Sequence, residues 1–437
     1  MGAALTQRPE LYNAVVIQVP LFDMLAYTHI GAGASWVGEY GDPANLVTQP
    51  YDKVYPDMQA RYLAASPYNL VRIILGERFD TDTADNNVYT RAKGHLEAWI
   101  RDGILEREAE PALFAYFQQF QDPDTGEQLT RKGLICAGQL EEYSAGVVHR
   151  HEQTLTGPKK DRTELLKHTE AHYGQIFLLY PDETGGVDAL LDAAAQSEPL
   201  MRVDDGYGSL HLLWRIAGAE AIARIQALMA DKKLVIADGH HRYETALNYS
   251  KESPKADAKR VMMTLVNMHS PGLRILATHR LVHSLAGFDA AKLVAALGAL
   301  GTLRKVASKA ELKAAVQAID PARIVLGIAL PGASYVLDVD RAAGMLDVTF
   351  LHEQVLGKAM GITEEDVRSQ KYLHYVRGLD PALEQLRAGQ CQVAFLLQPT
   401  TVQQVADISF GGGVMPQKST DFFPKLLSGV TIYKLEK

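Results

Sequence analysis

Cysteine is nearly missing: Cys136 and Cys391 are the two in 437 residues. A pair so far apart excludes a disulfide scaffold and a cysteine metal cage, and the cytoplasm is the expected compartment. Long hydrophobic runs are missing too, since no stretch approaches the roughly 20 apolar residues that span a bilayer. The stretch 14–22 is short, contains Pro20 and follows Arg8 and Glu10, so it reads as a core strand rather than a secretion signal. The residues after Gly2 fit a lipid-attachment pattern so permissive that it reads as chance. A basic excess is the third absence: 44 Lys and Arg against 52 Asp and Glu leave a formal charge of −8. That balance argues against a nucleic-acid or anionic-membrane partner and leaves room only for local basic clusters suited to a small anion. Internal repeats and low-complexity tracts are also lacking.

What is present is a large apolar fraction, 47%, enough for a core divided among two or three domains. Pro, Asn and Asp mark turns at 49–53 and 66–69. A strand is expected over 69–75, and a helix over 86–107, where Ala92, Leu96, Trp99 and Ile100 recur at helical spacing. Strands are expected over 112–119, 133–140 and 175–180. Helices are expected over 160–172, opening after Gly157-Pro158, and over 219–230. From Thr278 onward, helices at 288–300 and 309–318 alternate with strands at 323–329 and 334–339. The alternation predicts an α+β protein of mixed α/β layers. It divides into a core over 1–285 and a C-terminal α/β domain over 286–437.

The densest chemistry lies at 233–247. A buried strand runs to Ala237, Asp238-Gly239 turns, and a helix opens at about His240. Such a turn aims backbone N–H groups and the positive end of a helix dipole at one point, which suits an anion. Asp238, His240, His241 and Arg242 surround that point with an acceptor, two imidazoles and a forked cation. A second cluster is Val147-Val-His-Arg-His-Glu152. In an extended strand His149 and His151 share one face, either as a two-nitrogen metal site or as a polar strand. Glu152, just before Gly157-Pro158, is placed to accept a proton from a substrate hydroxyl. Lys159, Lys160 and Arg162 are either a solvated helix face or a phosphate grip, with Arg162 best suited to a bidentate contact. Gly412 and Gln417-Lys418-Ser419 nearly imitate a P-loop, but Gln417 replaces the second Gly and Pro416 stiffens the loop. That excludes a Walker A assignment and leaves Lys418 and Ser419 as phosphate contacts or as a packed turn.

The run Ala237-Asp-Gly-His-His-Arg-Tyr-Glu-Thr-Ala246 resembles the signature of a large prokaryotic family known only as a domain of unknown function. Ordered matches extend over nearly the whole chain, among them Pro50-Tyr51-Asp52, His151-Glu152, Gly157-Pro158-Lys159, Thr278-His279-Arg280 and Met415-Pro-Gln-Lys-Ser-Thr420. The chain departs from the pattern at Gln49 and Lys53, which puts a role for Asp52 in doubt, and at Asp421, where an aromatic residue is expected. The turn is also similar to the phosphate-binding turn of the ParB/sulfiredoxin superfamily, which includes partition proteins, sulfiredoxins and free serine kinases. That resemblance implies a ParB/sulfiredoxin-like nucleotide-binding core and a kinase that moves a phosphoryl group from ATP or ADP, with Mg²⁺ on Asp238, to a small hydroxyl acceptor such as free L-serine. Asp238 to Arg242, Lys159, Arg162, Lys418 and Ser419 then bind the nucleotide, and Glu152, His241, Arg242 and Asp52 are the catalytic candidates. The partners expected are a nucleotide and a small substrate, with the oligomeric state open. Two other classes stay open: a metal-dependent hydrolase built on His149, His151, His240 and His241, and a non-enzymatic nucleotide-responsive switch.

Overall fold

In a computed structural model of the protein, the described residues are 70–152 and 157–436. Asp52, the turns at 49–53 and 66–69 and the strand expected at 14–22 lie outside them. The chain is a mixed α/β protein built on two large sheets. The strands in chain order are β1 (Leu113–Gln121), β2 (Gln128–Gln139), β3 (Val148–His149), β4 (Ala171–His172), β5 (Ile176–Tyr180), β6 (Met201–Asp204), β7 (Ser209–Ile216), β8 (Leu234–Asp238) and β9 (Arg260–Asn267). They continue with β10 (Arg274–Ile275), β11 (Thr278–Val282), β12 (Thr302–Val306), β13 (Arg323–Leu330), β14 (Ala333–Asp340), β15 (Leu373–Arg377), β16 (Val393–Leu396), β17 (Phe422–Phe423) and β18 (Tyr433–Lys434). Eight form a sheet in the order β3-β8-β5-β9-β2-β1-β7-β6, and six form a second in the order β12-β14-β13-β16-β11-β15.

The period of two in the strands explains how the sheets stack. In β5, Phe177 and Leu179 enter a core shared with the second sheet, while Ile176, Leu178 and Tyr180 enter the core under the first sheet's own helices. In β8, Val235 and Ala237 take the shared side and Ile236 the other. In β13, Ile324, Leu326 and Ile328 face the shared core, and Val325 and Ala329 face a third cluster. Both sheets are therefore apolar on two faces, which accounts for runs that do not alternate cleanly in sequence.

The last stretch of the chain returns to the first sheet. β17 pairs with β10 and β18 with β4. Arg131, 1% exposed, donates to the carbonyl of Phe423 at 3.1 Å, and Gln118 donates to the carbonyl of Lys425 at 2.9 Å. These bonds pin the segment that carries Lys418 and Lys425 against the sheet.

Most predicted elements form, with shifted ends. Residues Leu70–Ile74 are a short helix and not a strand. Leu70, Ile73 and Ile74 stand at helical spacing and pack beside Ala92 and Leu96 of the helix Val88–Arg101. That face overrides the β-branched run. The helix expected from 160 begins earlier, spanning Gly157–Thr169, so Gly157-Pro158 belongs to its first turn, where proline is tolerated.

Candidate functional site

β8 ends at Asp238, Gly239 turns at φ +99°, and the helix His240–Glu252 begins at the next residue. The glycine is needed twice over. Side chains avoid that φ, and a Cβ would stand 2.8 Å from Arg242 Nη2. The Arg242 guanidinium also lies against Gly174, whose Cβ would stand 3.3 Å from Nη1. Two bare backbones thus hold Arg242 flat beside the turn. It donates to Asp238 Oδ2 at 3.3 Å, and its buried Nε–H has no partner.

His240, 6% exposed, opens the helix and meets His151 edge to face, with ring centroids 4.7 Å apart. Burial, then the adjacent imidazoles of His151 and His241 and the cations Arg150 and Arg242, hold His240 well below the usual imidazole pKa, and its Nε2 has no partner. His151, 1% exposed, contacts the Ile236 carbonyl through Nδ1 at 2.6 Å and Thr420 Oγ1 through Nε2 at 2.8 Å. A carbonyl only accepts, so Nδ1 carries the proton and Nε2 accepts from the Thr420 hydroxyl. Burial pulls the His151 pKa down to about 4, in keeping with that neutral form.

Glu152 follows His151 and forms an isolated parallel bridge with Met415, while the Met415 N–H donates to the His151 carbonyl at 2.7 Å. Burial pushes the Glu152 pKa up, against the charge and backbone N–H of Lys418, and Asp238 adds to the rise. Lys418 sits at φ +60°, a left-handed conformation costing about 1–2 kcal/mol for a residue with a Cβ. It is fixed from both sides, since its N–H donates to Glu152 and its carbonyl accepts from Arg280 at 2.9 Å. Strain held by its surroundings in this way clusters at functional sites.

The structure brings some predicted residues together and leaves others apart. Arg162 lies in the field of Arg242 and Asp238. Lys159 stands in the first turn of the same helix, and its neighbour Asp161 is taken by Arg78 and by the Tyr89 hydroxyl at 2.8 Å. The Ser419 hydroxyl donates to the Pro416 carbonyl at 2.5 Å and serves its own turn. His241 is half-buried beside His240.

The shared-face reading of His149 and His151 is corrected. β3 stops at His149, and His151 turns under β8. His149 meets the carbonyls of Ser409 and Gly146, each at 3.1 Å. Among the described residues, no group of three or more His, Cys, Asp or Glu side chains is arranged to hold a metal ion. Gly174 and Lys425 belong to the site and were missed. Lys425 acts on both His151 and Glu152. Nothing local marks either one, because each reaches the turn only through sheet packing.

Residues 39–353 match the family model described as "Protein of unknown function (DUF1015)". The chain belongs to that family. The matched region contains the Asp238 turn and Glu152, and the Lys418 loop lies beyond it. The chain is 41% identical over 91 residues to the uncharacterized peptidase y4nA of Sinorhizobium fredii, a match that covers 20% of this chain and 11% of that protein. A free serine kinase solved in complex with AMP superposes with a TM-score of 0.36 at 12% identity, covering 70% of this chain and 91% of the kinase. A conserved hypothetical protein from Pyrococcus furiosus gives 0.34 at 13% identity, covering 66% of this chain and 90% of that one. Scores this low carry no residue-to-residue correspondence.

Proposed function

We propose that this DUF1015 protein is a nucleotide-dependent phosphotransferase with a ParB/sulfiredoxin-like core. The Asp238–Arg242 turn holds the phosphates of ATP or ADP, and the acceptor is a small hydroxyl compound, with free L-serine the one implied by the family resemblance. The observation that carries this reading is that Arg162, Arg242 and the carboxyl of Glu152 all stand within electrostatic reach of Asp238 at a helix N-terminus. Phosphoryl transfer asks for little else: cations and amides on the phosphates, and a carboxylate at the nucleophile.

Each residue has a role in that scheme. Amides after Gly239 and the guanidiniums of Arg242 and Arg162 hold phosphate oxygens. His241 adds a donor, and neutral His240 offers a hydrogen bond rather than a charge. Glu152 takes the hydroxyl proton as the acceptor oxygen bonds to phosphorus. The bridging P–O bond breaks, and the nucleotide leaves with the electron pair. A carboxyl pKa raised by burial makes Glu152 a stronger base than an exposed glutamate. Asp238 is half-exposed and shares Oδ2 with Arg242, which suits a single-carboxylate ligand of Mg²⁺ completed by phosphate oxygens and water. Mg²⁺ bound there would neutralise phosphate charge.

The test is incubation with Mg²⁺, ATP or ADP and a panel of amino acids, followed by phosphorus NMR. A new phosphomonoester that forms with a hydroxyl amino acid is the expected result. Nucleotide binding without any phosphorylated acceptor would overturn the transferase reading in favour of a switch.

A further inference from the structure

A cavity of about 420 Å³ lies away from the turn, bounded by the start of β11, the end of β16 and the first turn of the helix Val402–Phe410. Its volume is that of a small-molecule site. Arg280 lines it and is 2% exposed. The guanidinium donates to the carbonyls of Thr278 and Lys418, its Nε–H has no partner, and among the described residues no carboxylate pairs with it. A buried cation held by carbonyls and by the face of the Tyr375 ring, whose centroid is 5.3 Å away, and by no carboxylate still demands negative charge. The other cation on the cavity, the partly buried Arg341, is neutralised by Asp347 at 2.5 Å.

The remaining walls narrow the chemistry. Met345, Leu346, Val348 and Ile408 give an apolar side. Two further carboxylates, Asp320 and Asp407, line the cavity and are exposed. Exposed carboxylates are screened by water and do not cancel Arg280, but they oppose the entry of any ligand with several negative charges. Nucleotides and oligophosphates are therefore disfavoured, and one negative charge on an apolar body is admitted.

We propose that this cavity is a binding site for a small apolar monocarboxylate, with its carboxylate toward Arg280. The site is joined to the turn by one loop. Arg280 holds the Lys418 carbonyl whose own amide serves Glu152, and Ser419 of the same loop lines the cavity. An occupant that draws on Arg280 thus acts on the segment that positions Glu152.

The test is ligand-observed NMR and calorimetry with isovalerate, leucine, isoamyl alcohol as the neutral isostere, and ADP. Isovalerate or leucine should bind and the alcohol should not, and the difference between the two acids distinguishes a simple acid from an amino acid. Arg280→Gln should weaken binding at least tenfold. Gln403→Glu adds a carboxylate at the exposed first helical turn. It gives up the Gln403 bond to Asp407 at 2.7 Å for an exposed like-charge pair, a small cost that the helix dipole offsets, so it should fold and still weaken binding severalfold. Gly239→Val should leave this binding intact while removing that of ADP, which separates this site from the proposed nucleotide site. Equal binding of alcohol and acid would overturn the proposal, as would no binding of either acid. So would wild-type affinity in a folded Gln403→Glu variant, or loss of acid binding in Gly239→Val.

Discussion

At Gly239 a single hydrogen in place of a side chain decides whether Arg242 can lie across the turn. Valine there would meet both a forbidden φ and the guanidinium 2.8 Å from its Cβ. Gly239→Val should therefore fold with a lowered melting temperature and lose nucleotide affinity in calorimetry; full affinity in the folded variant would remove the turn from the site. Arg242→Ala should slow turnover by roughly a hundredfold to a thousandfold, the range seen when one donor to a developing charge is lost. If that variant merely melts earlier and turns over normally, Arg242 is a packing residue. Glu152→Gln keeps size and hydrogen bonding but accepts no proton. Transfer should fall by about 10²–10⁴ while nucleotide binding persists. Because burial raises the Glu152 pKa, the acid limb of the wild-type rate profile should lie above the ordinary carboxylate range. A limb at the ordinary value, or full activity in Glu152→Gln with loss in Asp52→Asn, would move the base to Asp52.

Among elements, the ones read correctly carry their signals within a few residues. Val235, Ile236 and Ala237 followed by Asp-Gly announce a buried strand and a turn with no help from the rest of the chain. Leu70–Ile74 does not, since its apolar triplet suits a strand until Ala92 and Leu96 present a face to a helix. His149 to Glu152 fails for a similar reason: the Ile236 carbonyl and Met415, distant in sequence, pull His151 and Glu152 out of the strand. The helix Val88–Arg101 shows how local and tertiary terms separate. Asn87 caps it, accepting from the amides of Tyr89 and Thr90 while the Thr90 hydroxyl receives the Asn87 N–H. Asn87→Ala should cost about 1 kcal/mol in urea unfolding, with no change in nucleotide affinity. A change in affinity would mean that this helix supports the site and is not merely adjacent to it.

The whole molecule adds what no local pattern holds. Arg131 reads as an ordinary charged residue of a strand, yet it is buried and holds the Phe423 carbonyl, and that contact brings the Lys418 loop over β8. Long-range ties of this kind also contribute to the fold's response to acid, beside the imidazoles of His172, His240 and His352, whose pKa values burial lowers in the same direction. His151 accepts from Thr420, and His279 Nδ1 accepts from the Leu397 N–H at 3.3 Å, so protonation destroys a buried bond at each. Burial holds both pKa values at about 4, below the imidazole value of 6.5. The unfolded chain therefore binds protons that the native state refuses. Stability from these groups is complete above pH 6.5, falls as pH drops below it, and levels off near pH 4. Glu152 and Asp188, whose pKa values are raised, act with the opposite sign just above the usual carboxylate value and soften the lower part of that fall. Urea unfolding between pH 7.5 and 4.5 should show stability declining with acid, with net proton uptake on unfolding. His279→Asn, whose carbonyl oxygen can accept the Leu397 N–H but does not titrate, should flatten the slope while leaving the plateau above pH 6.5 nearly unchanged. An unaltered slope in that variant would mean that His279 titrates freely in the folded protein and that the acid response arises elsewhere.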